Sequence, residues 1–426
     1  MTAWQTRWAP TSAELAACVE CGLCLPHCPT FRLTGDETAS PRGRLNAMSA
    51  VAAGIMPLDD AFAEVMGFCL QCRACEAACP SLVPFGRAME GARAEVAAAF
   101  PAGGRLRRRI VGRWFGRRRL IGMATVGAAL AQRVGGQRWF PGRLRSGLKG
   151  MRRLPLRRRS VMGFDIAGAP PPVATVGLLA GCVMDPWFTA VHESTIGVLT
   201  RAGYRVVVPE AQTCCGALAA HDGAADDAAR LAALNTAAFA GVDLVVADAA
   251  GCSAHLAGYG YLTVGGEALA SRSMDAVTLV ARAIADGRLP TLPLNGRRVA
   301  IQDPCHLRHA QRVVEQPRAI LRAAGYEVVE IDPDGLCCGA AGLYSVVRPD
   351  TSHELGERKA AQVRAVGVDL VASANPGCEI QLRSHLGGGI RVAHPIEIYA
   401  EATATGGFIV GREHRRWGRR VLSCEL

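Results

Sequence analysis

The sequence predicts a multidomain α+β protein: a helical N-terminal domain built around cysteine runs, a basic helical insert, and two tandem α/β units that each carry a Cys-Cys-Gly triplet. Three observations predict it. Two tetracysteine runs of the same spacing stand in the first hundred residues. Eighteen Arg and Lys, with no Asp or Glu, crowd into residues 105–159. The C-terminal half repeats itself with a period of about 123 residues. At 426 residues, half of them apolar, the chain is too long for one core and has material for several. The expected boundaries are 1–100, 101–172, 173–290 and 291–426.

In the first segment, Cys18, Cys21, Cys24 and Cys28 follow C-x2-C-x2-C-x3-C and precede Pro29. Cys69, Cys72, Cys75 and Cys79 repeat the spacing before Pro80. This is the bacterial ferredoxin run, in which thiolates hold a [4Fe–4S] cubane. Two-residue gaps curl the backbone so that three sulfurs converge and amides point inward. The proline, with its fixed φ, turns the chain after the fourth cysteine. In two-cluster proteins that fourth cysteine serves the other cluster. One cubane is therefore expected on Cys18, Cys21, Cys24 and Cys79, and a second on Cys69, Cys72, Cys75 and Cys28. Zinc sites or disulfides do not require two such tetrads. Between the runs, Ser40 as N-cap and Pro41 at the first helical position predict a helix, and Leu58 to Met66 has helical spacing. The segment reads as a helical ferredoxin domain. Arg42 and Arg44 stand either as donors near a cluster or as surface charge.

The chain's seventeen cysteines fall in tight groups, which favours metal in a reducing compartment over disulfides. MTAWQTRWAP has no basic region followed by an apolar stretch, and no segment reaches the length of a membrane span. The expected location is the cytoplasm, with peripheral contact at the inner face of the cell membrane left open to residues 105–159. Outside that insert, 30 Lys and Arg face 37 Asp and Glu, so the positive charge is local. Leu106, Ile110, Trp114, Phe115, Leu120, Trp139 and Phe140 are interleaved with it. Such a surface suits anionic lipid, an acidic partner subunit or a solvated linker. No helix-turn-helix or zinc finger accompanies it, so nucleic acid is not expected.

In the repeat, Cys182 precedes Cys214-Cys215-Gly216 by 32 positions, and Cys305 precedes Cys337-Cys338-Gly339 by the same 32. Each pair follows Ala-Gly-Tyr and an extended run, Arg205 to Val208 and Glu327 to Val329. Each precedes a buried-strand pattern that ends in Gly-Cys, at Cys252 and Cys378. Opening strands at Val176–Ala180 and Val299–Gln302, and helices at His192–Arg201 and Pro317–Ala324, complete two units of parallel strands. Loops beyond the carboxyl ends of such strands gather at one face. Cys182, Cys214, Cys215 and Cys252 are thus expected to meet, as are Cys305, Cys337, Cys338 and Cys378. One or two further iron–sulfur clusters, a redox dithiol and inert buried cysteines all fit eight such residues. Cys424 fits no set.

Two ferredoxin runs, a basic insert and two Cys-Cys-Gly repeats, in this order, resemble the iron–sulfur subunits of glycolate oxidase (glycolate dehydrogenase). Related modules occur in anaerobic glycerol-3-phosphate dehydrogenase, lactate utilisation proteins and heterodisulfide reductase. The resemblance covers essentially the whole chain. It is carried by Ser40-Pro41-Arg42-Gly43-Arg44, by Thr213-Cys214-Cys215-Gly216-Ala217-Leu218 with His221, and by Asp303-Pro304-Cys305-His306-Leu307. Asn375-Pro376-Gly377-Cys378 and His394-Pro395-Ile396-Glu397 add to it. It implies that a separate FAD-binding subunit oxidises a 2-hydroxy acid such as glycolate or lactate. This chain then passes the electrons toward quinone or another carrier. The alternatives are a heterodisulfide- or quinone-reductase-type subunit with its active site in the Cys-Cys-Gly units, and an iron–sulfur anchor subunit as in glycerol-3-phosphate dehydrogenase. Heterodisulfide reductase repeats end in C-x2-C. Here the second cysteine is replaced by His255 and Gln381, and His255 reads either as a substitute ligand or as a helix-surface histidine. His221, His306 and His394 read as proton- or quinone-handling groups or as structural histidines. No G-x-G-x-x-G loop opening a helix and no P-loop is present, so no dinucleotide of its own is expected.

Overall fold

The computed structural model describes residues 4–115, 117–135, 149–156, 159–168 and 171–404; Trp139, Phe140 and Cys424 lie outside these. The fold is mixed α/β, with a helical cysteine-rich region followed by two units with parallel sheets.

In the N-terminal region, Ser40 accepts the Gly43 N–H at 2.9 Å and Pro41 opens the helix Pro41–Ala52, as its cap chemistry predicts. Asp59 likewise caps the helix Asp60–Gly67 through the Phe62 N–H. Leu45, Met48, Phe62 and Met66 from these helices meet Ala88, Met89 and Ala92 of the helix Phe85–Ala99 in one core. That core carries Cys69 and Cys75 on its edge.

The first repeat forms a five-stranded sheet from β1 (Asp165–Ile166), β2 (Thr175–Leu178), β3 (Arg205–Val207), β4 (Leu244–Ala247) and β5 (Ser273–Asp275), in the order β1-β3-β2-β4-β5. Only β1 runs antiparallel. The second repeat forms β6 (Arg298–Gln302), β7 (Glu327–Glu330), β8 (Leu370–Ser373) and β9 (Arg391–Ala393), all parallel, in the order β7-β6-β8-β9. Leaving β1 aside, the two share one strand order. The central strands are buried on both faces, which explains their unbroken Val, Ile and Ala runs. The strands β1, β5 and β9 were not expected; each is two or three residues long and has no alternation to read.

The repeats are fused side by side. Val176, Leu178 and Val206 share a single core with Val299, Ile301, Leu321 and Tyr399. The helix Ala276–Ala285 packs on Glu315–Ala323, and Thr189–Arg201 packs on Pro395–Ala402. Ala250 N–H donates to Ala374 O at 3.1 Å, and Gly251 N–H to Asn375 Oδ1 at 3.2 Å. The segments that present Cys252 and Cys378 therefore meet across the junction.

The basic insert is helical over Arg105–Arg109, Ile110–Trp114 (one wide turn) and Arg118–Arg133. Several of its cations turn back onto the repeats. Arg107 pairs with Asp222 at 2.7 Å and Arg159 with Glu193 at 2.6 Å. Arg152 clasps both Glu379 and Glu397 at 2.6 and 2.7 Å. Leu106, Trp114, Met123, Leu130 and Val134 face outward. Among the described residues, no helix is long and apolar enough to cross a membrane.

Candidate metal centres

The two N-terminal runs fold alike because the same backbone positions turn left-handed. Glu20 (φ +56°) and Gly22 (φ +80°) lie in the gaps of the first run; Gln71 (φ +54°) and Arg73 (φ +62°) occupy the matching gap positions of the second. Non-glycine residues in this conformation cost of order 1–2 kcal/mol each, so the curl is held by its surroundings. It aims amides at sulfur: the Gln71 N–H donates to Cys69 Sγ at 3.3 Å.

Two cavities result. One is lined by Cys18, Cys21, Cys24, Cys75 and Cys79. The other is lined by Cys28, Cys69, Cys72 and Cys75. Cys28 has thus left its own run for the second cavity, and Cys79 has left its run for the first. Among the described residues, no group of three or more His, Cys, Asp and Glu is arranged to hold a single metal ion. No disulfide joins the described cysteines.

The surroundings of the second cavity fit a buried anion, as a cubane held by four thiolates is. Arg44 is fully buried, and among the described residues no carboxylate pairs with it. It donates to Ala39 O at 2.7 Å, Val65 O at 3.1 Å and Thr30 Oγ1 at 3.2 Å, and its Nη1 lies 3.9 Å from Cys28 Sγ. Arg93 donates to Met66 O, His221 O and, at 2.5 Å, Cys69 O; burial pulls it below the usual arginine range. A buried cation without a counter-charge costs several kcal/mol. Gln71, between Cys69 and Cys72, is buried, and among the described residues neither of its side-chain polar atoms has a hydrogen-bond partner. Arg42, half-buried, lines the first cavity and lies against Glu37 at 2.8 Å and Glu20 O at 3.0 Å. Neither Gln71 nor Arg93 was singled out from the sequence. Gln71 could have been, because it stands between two run cysteines; Arg93 carries no local signal.

Each repeat gathers its four cysteines at the carboxyl ends of its strands, as parallel-sheet topology dictates. In the first, Cys214 and Cys215 lie in one apolar cluster with Cys182 and Cys252 packed against it. The neighbouring Cys182 and Cys215 hold Cys214 below the usual thiol range and are themselves pushed up. In the second, Cys305 packs against the cluster of Cys337, and Cys338 shares one with Cys378. Cys337 holds Cys305 down, and Cys337 with Cys378 holds Cys338 down. The thiolate is the ligating form of cysteine, and both quartets favour it in part. The loops close on glycine at φ +96° (Gly216) and φ +86° (Gly339).

The second cavity and the second quartet are neighbours. Leu70, Cys72 and Ala74 share one apolar cluster with Cys337, Tyr344 and Leu355, and Cys305 packs against it. Burial and then Cys305 raise the Cys72 thiol well above its usual range. The first quartet's cluster includes Trp8 and Ala94 from the N-terminal region.

The histidines part company. His221 and His306 stack at 5.4 Å between ring centres, with His221 Nε2 3.4 Å from Glu90 and His306 Nδ1 3.4 Å from Cys305 Sγ. His255 is buried, not on the helix surface as one reading expected, because its helix Ala250–Leu256 packs inside the junction. His394 stands apart from the quartets and caps the helix Pro395–Ala402 by accepting the Ile396 N–H.

Residues 14–83 match the 4Fe-4S dicluster domain, and residues 176–257 and 299–383 each match the cysteine-rich domain known as CCG. The chain is 33% identical to the probable glycolate oxidase iron–sulfur subunit of Bacillus subtilis, over 91% of this chain and 94% of that one. It is 30% identical to the glycolate oxidase iron–sulfur subunit of Escherichia coli, again over 91% and 94%. The chain belongs to the family of glycolate oxidase iron–sulfur subunits. A shorter relative, lactate utilization protein A of Shouchella clausii, is 28% identical over 52% of this chain and 97% of its own length. Membership in the glycolate oxidase iron–sulfur family makes the chain an iron–sulfur component of an oxidoreductase. A fumarate reductase (CoM/CoB) subunit of Methanothermobacter marburgensis is 32% identical over 55% of this chain and 48% of that one.

Proposed function

We propose that this chain is the electron-transfer subunit of a flavin-dependent 2-hydroxy-acid dehydrogenase of the glycolate or lactate type. It takes electrons from a separate FAD-binding subunit and passes them toward quinone or another carrier. In this reading Cys18, Cys21, Cys24 and Cys79 hold one [4Fe–4S] cubane, and Cys69, Cys72, Cys75 and Cys28 hold the second. Each quartet of the repeats holds one further iron–sulfur cluster. Bound clusters supply single-electron steps, which divide the two-electron oxidation of a flavin.

The observation that carries the reading is the shared wall between Cys72 and the pair Cys305 and Cys337. Leu70, Ala74, Tyr344 and Leu355 pack there, so the two thiol sites stand side by side against one apolar cluster. Arg44 and Arg93 set positive charge by the second run, which favours extra negative charge at that site. The Tyr344 hydroxyl ties the second repeat to Phe68 O at 3.1 Å and keeps the wall closed. The basic residues of 105–159, with the outward Leu106 and Trp114, offer a peripheral contact to anionic lipid. Binding to anionic vesicles that is lost at high salt is the expected result there.

Cys72→Ser tests the relay. It is expected to remove one cubane from the EPR spectrum of the dithionite-reduced protein and to abolish electron transfer from the FAD subunit to the physiological acceptor. Full activity in that variant would contradict the proposal.

A further inference from the structure

We infer that the imidazole Nε2 of His255 is a ligand of the first repeat's iron–sulfur site, beside Cys182, Cys214, Cys215 and Cys252, and that the second repeat has no counterpart at the matching position. The inference rests on the reading of the quartets as cluster sites.

Cys252 and His255 are three residues apart on the Ala250–Leu256 helix, so their side chains share one face. His255 is 7% exposed, and among the described residues its Nε2 has no hydrogen-bond partner. Leaving such an atom bare costs about 1–3 kcal/mol, and buried polar groups are ordinarily satisfied. The atom is aimed at the cysteine loop. It lies 3.3 Å from the point where a β-carbon on Gly216 would stand, directly after Cys214 and Cys215. The Tyr259 ring holds it there edge-on at 5.7 Å, and the Tyr259 hydroxyl is fixed in turn by donating to Cys215 O at 2.6 Å and accepting from Asn235 at 3.0 Å. An imidazole nitrogen donates a lone pair to iron without displacing a proton, provided the proton sits on Nδ1.

The second repeat places Gln381 at the same offset from Cys378, but that side chain is spoken for. Its Nε2 donates to Ser352 O at 2.8 Å and Ser352 Oγ at 3.2 Å. No imidazole stands at that position in the second quartet; the histidine beside it, His306, follows Cys305 in the chain and sets its Nδ1 3.4 Å from Cys305 Sγ. Imidazole in place of thiolate raises the potential of an iron–sulfur centre.

The test is pulsed EPR for nitrogen hyperfine coupling, with a redox titration, on anaerobically purified full-length chain. The variants are His255→Cys, His255→Leu, Cys214→Ser and Cys338→Ser. The expected result is a strongly coupled nitrogen on the signal that Cys214→Ser removes and Cys338→Ser leaves. In His255→Cys that coupling vanishes while the centre persists at a lower potential; in His255→Leu the coupling vanishes and iron is lost. A centre assigned to Cys214 that shows no such nitrogen, and whose potential is the same in His255→Cys, overturns the inference and leaves the cluster reading standing. If Cys214→Ser changes neither iron content nor any signal, both fall.

Discussion

Behind its Cys-Cys pair the first repeat sets the neutral amide of Asn235, and the second sets the ammonium of Lys359. Asn235 accepts the Thr213 N–H at 2.8 Å and donates to Cys214 O at 2.9 Å, so it holds the loop by hydrogen bonds alone. Lys359 is buried against Asp332, whose carboxylate accepts the N–H groups of Asp334 and Leu336 on the way into the second loop. Both devices come from the long helix after the Cys-Cys pair, Ala225–Ala238 in one repeat and Pro349–Ala365 in the other. Equal strand plans can thus hold equal thiol quartets in unequal fields. Lys359 adds to the pull of Cys337 and Cys378 that holds the Cys338 thiol down. The first repeat has the neutral Asn235 at that place, and it has His255.

The largest expected effect comes from Lys359→Met, which strands the Asp332 carboxylate in the interior. A loss of about 3–5 kcal/mol in urea denaturation is expected, with a lower potential at the second quartet and an unchanged one at the first. The double variant with Asp332→Leu should recover much of the stability and none of the potential. Equal shifts at both quartets would erase the contrast.

A second contrast lies at the caps of the helices that follow β5 and β9. Asp275 caps one and His394 the other. Burial raises the Asp275 carboxyl to about 7, so its contribution is full below its unfolded value of 3.8 and is lost as pH rises through about 7. Burial lowers His394 to about 4, so its contribution is full above 6.5 and is lost as pH falls through about 4. The two oppose each other across this window. Asp275→Asn should make stability rise more steeply between pH 4 and 7, and His394→Gln should make it fall, each by on the order of 3 kcal/mol. Denaturation midpoints across that range read the result; parallel curves for both variants would contradict it.

The smallest effect separates the two loop glycines. Gly216→Ala should cost about 1–2 kcal/mol for a left-handed alanine. Gly339→Ala should cost more, because its β-carbon would meet Ser352 O at 2.7 Å and Leu355 Cβ at 2.9 Å. Thermal unfolding of the pair would show it.

Much of this was legible before the structure. Spacing alone marked the eight N-terminal cysteines and both quartets, and Ser40-Pro41 marked a helix start, because caps, run spacing and strand-end loops are local rules. Strands β5 and β9 were not, since each is three residues long and lies outside the repeated Cys-Cys and Gly-Cys frame that marked the equally short β3. The burial of His255 was not either, because it depends on how two repeats dock. The nearness of Cys72 to Cys305 is a tertiary fact between residues far apart in the chain. Lys359 did leave a trace: it is one of only two lysines in a chain with 46 arginines. An ammonium fits a compact buried site where a guanidinium fork does not.

The central claim is that both quartets, and not only the ferredoxin runs, bind iron. Iron and sulfide analysis of the chain, purified without oxygen and measured together with its EPR spectrum, tests it most directly. At four irons per cubane-sized cluster, about sixteen irons per chain are predicted, falling by about four in Cys214→Ser and in Cys338→Ser. About eight irons, unchanged in those two variants, would contradict the account.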